Sequence, residues 1–179
     1  MAALVVGGIL SAAAPCQPNI VFIFSDDHAY QAISAYGDSR RLLETPNIDR
    51  IAKSGVRFDR CLVTNSICGP ARATILTGRN TWQLKEAVSH NGYFPEGFEV
   101  YPDLLEKAGY TVGLTGKGWG PGDFKTLAKR QRNPAGPGWD EHTNVAPAKG
   151  INRNDYAHNF EAFLGRRPKD KPFCFWMGF

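Results

Sequence analysis

Apolar runs and short amphipathic segments alternate along the chain from residue 19 onwards. Residues 19–25 are a continuous run of β-branched and aromatic side chains, which predicts a strand buried on both faces, as in a parallel sheet. Residues 56–63 alternate apolar and polar side chains and predict a second strand. Two further apolar runs, at 110–115 and 171–179, predict the remaining strands.

Segments with helical signals separate these strands, at residues 45–55, 68–78, 102–109 and 154–164. The first three have a proline near the start and a glycine at the end, which suit the two termini of a helix. Residues 120–150 are rich in Gly, Pro, Asn and Lys and are typical of a long surface loop. Because strands alternate with helices, we expect an α/β domain, a three-layer sandwich around a mostly parallel sheet.

The two ends of the chain differ from its interior. Residues 1–18 are apolar and end in small residues, which resembles a secretory signal peptide without a basic n-region and predicts a leader and a periplasmic or secreted protein. A strand leading into the fold is the alternative, lipoprotein anchoring at Cys16 is disfavoured by Pro15, and the apolar run is too short for an integral membrane span. Residues 171–179 stop within an apolar strand pattern, which predicts that residues 19–179 are the N-terminal part of a longer domain.

Composition narrows the class of protein. The chain has 179 residues, of which 42% are hydrophobic, enough for one globular core. The formal net charge is +4 without a basic run, so the sequence does not indicate a nucleic-acid partner. The cysteines, at positions 16, 61, 68 and 174, have neither a paired metal-binding spacing nor a dense disulfide pattern. Cys61 and Cys174 lie in strand-like runs and are predicted to be buried free thiols.

Cys68 stands in a local pattern that suits a nucleophile facing an anion. It is followed by Gly69, Pro70, Ala71 and Arg72. Pro70 suits the first position of a helix, so Cys68 is placed near a helix N-terminus, where free N–H groups and the positive end of the dipole favour negative charge. Arg72, one turn on, carries a planar fork that matches a tetrahedral oxyanion.

The segment from Cys68 to Gly78 resembles the signature of the type I sulfatases, formylglycine-dependent members of the alkaline phosphatase-like superfamily. Their pattern is Cys-x-Pro-Ser/Thr/Ala-Arg, followed after four residues by Thr-Gly, as at Thr77-Gly78 here. The resemblance implies that a formylglycine-generating enzyme or an anaerobic sulfatase-maturating enzyme converts Cys68 to Cα-formylglycine. The hydrated aldehyde is then the nucleophile, because a geminal diol can attack with one oxygen and expel sulfate through the other, whereas a thiol would form a stable thiosulfate.

Asp26 and Asp27 follow the first predicted strand, at the end where ligands bind in open α/β sheets. Taken alone, the pair is more often an ordinary acidic turn. The resemblance implies that Asp26, Asp27 and the modified Cys68 bind a divalent metal, for which Ca²⁺ is expected and Mg²⁺ is possible, because both prefer oxygen ligands. The cation would polarise the sulfate group.

Lys117 closes the strand at 110–115 in a glycine-rich turn, where a solvated loop lysine is an equally good interpretation. The resemblance implies that Lys117 binds sulfate and that Arg72 stabilises developing charge. The family motif is Gly-Lys-x-His, and Trp119 stands in place of the histidine, where we expect it to wall the substrate pocket. His90 lies in a polar turn and is a weaker candidate for reaching the sugar or replacing that histidine.

The leading functional hypothesis is hydrolysis of an O-sulfate or N-sulfate on a carbohydrate, as in glycosaminoglycan degradation. Gly116-Lys117, Gly120-Pro121 and the run at 172–179 resemble heparan N-sulfatases (sulfamidases) and similar bacterial proteins. The alternatives are a phosphonate monoester or phosphodiester hydrolase of the same superfamily, and a non-catalytic protein that binds anionic glycans and keeps Cys68 unmodified. Because the family's second metal-binding segment lies farther downstream, residues 1–179 alone are expected to bind metal weakly and to show no turnover.

Overall fold

The computed structural model describes residues 17–127, 129–146 and 148–179. The predicted leader and Cys16 therefore lie almost entirely outside the described residues. The main elements, in chain order, are β1 (Ile20–Phe24), α1 (Pro46–Ser54), α2 (Cys68–Thr77), α3 (Tyr101–Lys107), β2 (Thr111–Gly116), α4 (Tyr156–Arg166) and β3 (Phe173–Gly178). Short 3₁₀ turns occur at Tyr30–Ala32, Ser34–Tyr36, Thr81–Gln83 and Lys85–Val88.

The three strands form one parallel sheet in the order β1-β3-β2, which confirms the predicted parallel topology. Their ends are in register, because Phe24 of β1 and Gly116 of β2 both pair with Gly178 of β3. The residues that follow β1 and β2 therefore leave the sheet at the same edge. This edge brings Asp26 and Lys117 together although they are far apart in sequence.

Helices cover both faces of the sheet, so the predicted three-layer arrangement is confirmed. On one face, α2 and the start of α3 pack against the inward side chains of all three strands. This core contains Ala73, Leu76, Val100, Leu114 and Trp176, with Phe22, Phe24 and Tyr101 at its margin. On the other face, α4 packs on β3 through Phe163, Phe173 and Phe175, with Phe160, Leu164 and Met177 around them.

The predicted burial of β1 on both faces is wrong. Phe22 and Phe24 pack into the core that faces α2. Val21 and Ile23, on the opposite face of the strand, are 43% and 55% exposed. The contacts of α4 on that face are made with β3 and β2, so β1 has only one covered face among the described residues.

The predicted strand at 56–63 is also absent, and the segment lies on the surface without a backbone–backbone hydrogen bond in the described part of the chain. Its apolar side chains include Phe58 and Leu62, which are 68% and 92% exposed. A period-two pattern stabilises a strand only where a neighbouring strand and a core meet it, and neither lies here. Cys61 is consequently exposed, against expectation, whereas Cys174 is a buried free thiol as predicted.

Helix α2 begins at Cys68, so Pro70 occupies the third helical position. The sequence predicted the first position for this proline. Proline at the third position costs the helix little stability. The first four N–H groups of a helix have no intrahelical partner, so the N–H that proline lacks is not missed there. The helix ends at Gly78 with φ of 64°, in the left-handed conformation that glycine adopts readily. Of the helices described here, none has the length and apolar character needed to cross a membrane.

Candidate active site

Three segments converge at the carboxyl edge of the sheet. They are the turn after β1 with Asp26, the start of α2 with Cys68 and Arg72, and the turn after β2 with Lys117. An open cavity of about 640 Å³ lies against the first two segments and is lined by Asp26, Asp27, His28, Cys61, Cys68 and Arg72 among others. Four of the sequence-predicted residues, Asp26, Cys68, Arg72 and Lys117, are brought into mutual contact there.

Asp26 is the centre of this group. Its backbone N–H donates to the carbonyl of Phe179 at 3.3 Å, which fixes the turn beside the end of β3. The Cys68 Sγ lies 3.6 Å from both carboxylate oxygens of Asp26. The Lys117 ammonium donates to the Asp26 carboxylate, and Arg72 Nη2 lies 3.7 Å from the same oxygen. One carboxylate therefore holds two cations and a thiol in one place.

The charges in this group influence one another. Partial burial raises the pKa of Asp26, but Lys117, Arg72 and the hydrogen bond from Cys68 outweigh it, so the pKa lies below its ordinary value. Burial lowers the pKa of Lys117, but its contacts with Asp26 and Cys68 raise it by more, and the net shift is upward. Both groups are consequently held in their charged forms around neutral pH.

Arg72 is buried completely, with an exposed fraction of 0%. Its Nη1 donates to the carbonyls of Lys117 and Gly118, at 2.6 and 3.0 Å, and its guanidinium lies 4.7 Å from the ring centroid of Phe24. Burial lowers its pKa, and Asp26 and Cys68 oppose that shift. Nε and Nη2 of Arg72 have no hydrogen-bond partner among the described residues, and buried N–H groups of a cation are costly to leave unmatched. The site thus carries unused donor capacity suited to an anion.

The turn that carries Lys117 is held tightly against β3. The Lys117 N–H donates to the carbonyl of Gly178 at 2.9 Å. The Lys117 carbonyl accepts from the indole N–H of Trp176 at 3.0 Å as well as from Arg72. A Cβ at Gly178 would lie 1.9 Å from the Lys117 oxygen, and Gly116 has φ of 73°, so only glycine fits at both positions. These glycines allow the lysine to reach the sheet edge.

Trp119, which we expect to wall the substrate pocket, is not among the residues that line the cavity beside Cys68. Its side chain is 2% exposed and lies in the core next to Phe94, with ring centroids 5.2 Å apart. Its indole N–H donates to the carbonyl of Gly69 at 3.0 Å. Trp119 is therefore an interior residue. Its ring packs in the core, and its indole N–H donates to a backbone acceptor, so the buried polar group is satisfied.

His90 and Asp27 are less closely tied to the group than Asp26. The side chain of His90 is exposed, and its backbone carbonyl lies beside Gly69. Asp27 is exposed, has φ of 50° and lines the cavity. Within the described ranges, no group of three or more His, Cys, Asp or Glu side chains is arranged to hold a metal ion.

The donor atoms fit a hard divalent cation in kind but not in number. Carboxylate oxygens of Asp26 and Asp27 are suitable ligands for Ca²⁺ or Mg²⁺. Calcium takes about six to eight oxygen ligands, and two carboxylates cannot supply them. In addition, Lys117 and Arg72 already contact the Asp26 carboxylate. The described residues thus offer donors of a suitable kind for such a cation, but fewer than it needs.

Comparison with known proteins identifies the family. The sulfatase family model matches residues 18–179, almost the whole chain. The chain belongs to the sulfatase family. An N-acetylglucosamine-6-O-sulfatase of Bacteroides thetaiotaomicron is 35% identical over 169 residues, which cover 88% of this chain and 29% of that protein. The N-acetylgalactosamine-6-sulfatase of Rattus norvegicus is 37% identical over 146 residues, 75% of this chain and 26% of that one. The chain spans less than a third of the length of these relatives.

Solved structures confirm the alkaline phosphatase-like α/β fold of this chain. One is a complex of a protein with its substrate D-glucosamine-2-N,6-O-disulfate, with a TM-score of 0.63 and 29% identity, covering 91% of this chain and 34% of that one. The phosphonate monoester hydrolase of Agrobacterium radiobacter has a TM-score of 0.66 at 21% identity, covering 91% and 40%. The second likeness concerns the fold alone.

The residues that support the candidate site were not predicted from the sequence. Trp176 was counted only as an apolar strand residue, yet its indole N–H binds the Lys117 carbonyl. A tryptophan in a buried strand needs an acceptor, which was a usable signal. Asp140, which accepts from the N–H of Gly116 at 2.7 Å, and Asn133, which binds the loop after Lys117, lie in an irregular segment that offers no such signal.

Proposed function

We propose that this sulfatase hydrolyses a sulfate group on a carbohydrate, with a formylglycine formed from Cys68 as the nucleophile. The observation that carries the proposal is the convergence of Cys68, Asp26, Arg72 and Lys117 at the carboxyl edge of the sheet. Two fixed cations beside a residue at a helix N-terminus suit a tetrahedral oxyanion. The family membership supports the same chemistry.

Each residue has a distinct part in the proposed reaction. Formylglycine, as its hydrate, would supply one oxygen to attack sulfur and a second through which sulfate is released as the aldehyde returns. Arg72 donates its unmatched N–H groups to sulfate oxygens and stabilises the charge that grows on them in the transition state. Lys117 binds a further sulfate oxygen, since its ammonium lies next to Cys68 and is kept charged by Asp26.

Asp26 and Asp27 would hold a divalent cation, Ca²⁺ or Mg²⁺, together with the modified Cys68. The cation would supply Lewis-acid polarisation of the sulfate group. Because these donors fall short of a complete shell and the chain spans less than a third of its relatives, we propose that residues 19–179 are the N-terminal part of the catalytic domain. The remaining metal and substrate ligands would come from other sequence.

The proposed substrate is a sulfated amino sugar of the glycosaminoglycan type. The named relatives act, by their names, on 6-sulfated N-acetylglucosamine and N-acetylgalactosamine, and the substrate in the solved complex carries both an N-sulfate and a 6-O-sulfate. These names favour a 6-O-sulfate and leave the N-sulfate of the sulfamidase resemblance as a second candidate. A maturating enzyme as partner, and export to the periplasm or beyond, belong to the same proposal.

Protection of the Cys68 thiol from alkylation tests whether a sulfated sugar binds at this site. Iodoacetamide labelling of the unmodified chain would be followed with and without N-acetylglucosamine 6-sulfate, and with a phosphonate monoester as the competing ligand. We expect the sulfated sugar to slow labelling of Cys68 and the Lys117→Met variant to lose most of this protection. The matched control is Lys107→Met, which removes an exposed lysine paired with Glu99. Better protection by the phosphonate, or none by the sugar, would overturn the proposed substrate.

A further inference from the structure

Trp119 links the residue after Cys68 to the loop after Lys117. Its indole Nε1 donates to the carbonyl of Gly69 at 3.0 Å, in a buried contact. Gly69 is itself hemmed in, because a Cβ there would lie 3.1 Å from the carbonyl oxygen of His90 and 3.4 Å from that of Pro121. The first turn of α2 is thus seated between two loops, and the indole N–H is its side-chain tether.

The tether is anchored at its other end by Asn133. The Trp119 N–H donates to Asn133 Oδ1 and the Trp119 carbonyl accepts from Asn133 Nδ2, both at 2.9 Å. Asn133 Oδ1 also accepts from the N–H of Ala135 at 3.0 Å. A Cβ at Gly122 would lie 2.5 Å from the edge of the Trp119 ring, so the loop closes directly over the indole. Because the indole is packed on both sides, its side chain has little rotameric freedom. It therefore couples the position of the loop to that of the first turn of α2.

The same short loop carries the catalytic cation. Lys117 lies two residues before Trp119, and its carbonyl and that of Gly118 are held by Nη1 of Arg72. Arg72 is one turn beyond Cys68 on α2. Helix and loop are therefore joined at two points, by Arg72 on the inner side of the helix and by Trp119 at its first turn. Two contacts fix an orientation that one contact would leave free to pivot.

We propose that Trp119 is a positioning residue, whose indole N–H sets the separation between the Cys68 side chain and the Lys117 ammonium. In place of a histidine that could face the substrate, the chain has a buried donor that orders the nucleophile and the cation relative to each other. The consequence for catalysis rests on the proposed function, but the tether itself does not.

The test compares Trp119→Phe with Trp139→Phe in the unmodified 179-residue chain. Phenylalanine keeps an aromatic ring and removes the donor. Trp139 is the matched control, because it packs edge-on against Phe163 in the core on the other face of the sheet. Cys61 and Cys68 lie in one tryptic peptide, residues 61–72, so fragment ions give the ratio of their alkylation rates and exposed Cys61 serves as an internal reference.

In Trp119→Phe we expect hydrogen exchange at the amide of Ala71, which donates to the Ile67 carbonyl at 2.9 Å, to rise by about fivefold, the effect of about one lost hydrogen bond. The rate ratio of Cys68 to Cys61 should change by about threefold or more, because access to the Cys68 sulfur depends on how the first turn of α2 lies against the loop, and displacements of about 1 Å change oriented reactions by up to about 100-fold. Trp139→Phe should leave both quantities within about twofold of the wild type. Unchanged values in Trp119→Phe, or equal changes in both variants, would overturn the proposal.

A second variant covers the case in which Trp119→Phe does not fold. Asn133→Asp keeps the Oδ1 acceptor for the Trp119 N–H and removes the Nδ2 donor to the Trp119 carbonyl. We expect the same two changes in smaller measure, and their absence would count against the tether. Neither readout needs a sulfated ligand, so loss of the proposed function, seen as absent protection in the wild type, is distinguished from loss of this inference.

Discussion

Replacement of Asp26 by asparagine isolates the carboxylate that holds the site together. The change keeps the size of the side chain and removes the negative charge shared by Lys117, Arg72 and Cys68. Arg72, at 0% exposure, would lose the carboxylate that lies 3.7 Å from its Nη2. Two cations would then face each other without a counter-charge between them. We therefore expect Asp26→Asn to destabilise the folded chain.

The expected loss of unfolding free energy is worked out from two ion pairs, Arg72 with Asp26 and Lys117 with Asp26. At 3.7 Å and an effective dielectric constant of about 20, the attraction between Arg72 and Asp26 is about 4 kcal/mol before desolvation is counted. The desolvation cost of the Asp26 carboxylate, which the variant no longer incurs, and solvent screening at this 24% exposed side chain offset about half of it. The Lys117 side chain is 35% exposed, so its pair with Asp26 adds no more than about 1 kcal/mol. We expect a loss of about 2 kcal/mol in the free energy of unfolding at pH 7.

Urea unfolding followed by tryptophan fluorescence measures this loss, and Asp27→Asn is the matched control. Asp27 is exposed, so its variant should stay within about 0.5 kcal/mol of the wild type. Since the folded-state pKa of Asp26 is lowered from 3.8, its stabilisation is complete above that value and is lost as the pH falls through the lower folded-state pKa. The two curves should therefore converge below about pH 4. Equal stability of Asp26→Asn and wild type at pH 7 would refute this reasoning.

Further predictions concern the core and the thiols. Gly113→Ala should lower the free energy of unfolding by about 1–3 kcal/mol, because its Cβ would lie 2.9 Å from the ring of Phe163. Gly165→Ala in α4 should raise it by about 0.5–1 kcal/mol, because a Cβ there meets nothing within 4 Å. Thermal unfolding of both variants checks these opposite signs. Burial raises the pKa of the Cys174 thiol to about 11, so Ellman's reagent at pH 8 should label exposed Cys61 at once and Cys174 only after urea is added. Labelling of Cys174 in the folded chain would contradict its burial.

The sequence predicted the elements that are stabilised by their own local pattern. The strands at Ile20–Phe24, Thr111–Gly116 and Phe173–Gly178 coincide with apolar runs, and α1 and α2 end directly before a glycine. The parallel orientation of the strands was predictable because strands alternate with helices along the chain. The errors, at residues 56–63 and on the outer face of β1, arose where burial depends on whether another element covers the segment. A local pattern carries no information about such a neighbour.

Within the site, the sequence identified the charged residues but not the side chains that hold them. Asp26, Cys68 and Lys117 were found from a motif and from their places at the ends of strands and helices. The burial of Trp119 could not be predicted, because nothing in a glycine-rich turn tells whether an aromatic ring faces solvent or the core. Its partners, Gly69 and Asn133, become visible only once the loop after β2 is folded onto the start of α2.

The mass of the peptide that contains Cys68 tests the central claim most directly. The chain would be produced together with a formylglycine-generating enzyme and digested to the peptide of residues 61–72, with Cys68→Ala as the control. We predict a peptide about 18 Da lighter than the cysteine form, with the loss assigned to position 68 and not to Cys61. An unmodified thiol at Cys68 under these conditions would contradict the hydrolase mechanism and would favour a protein that binds anionic glycans without turning them over.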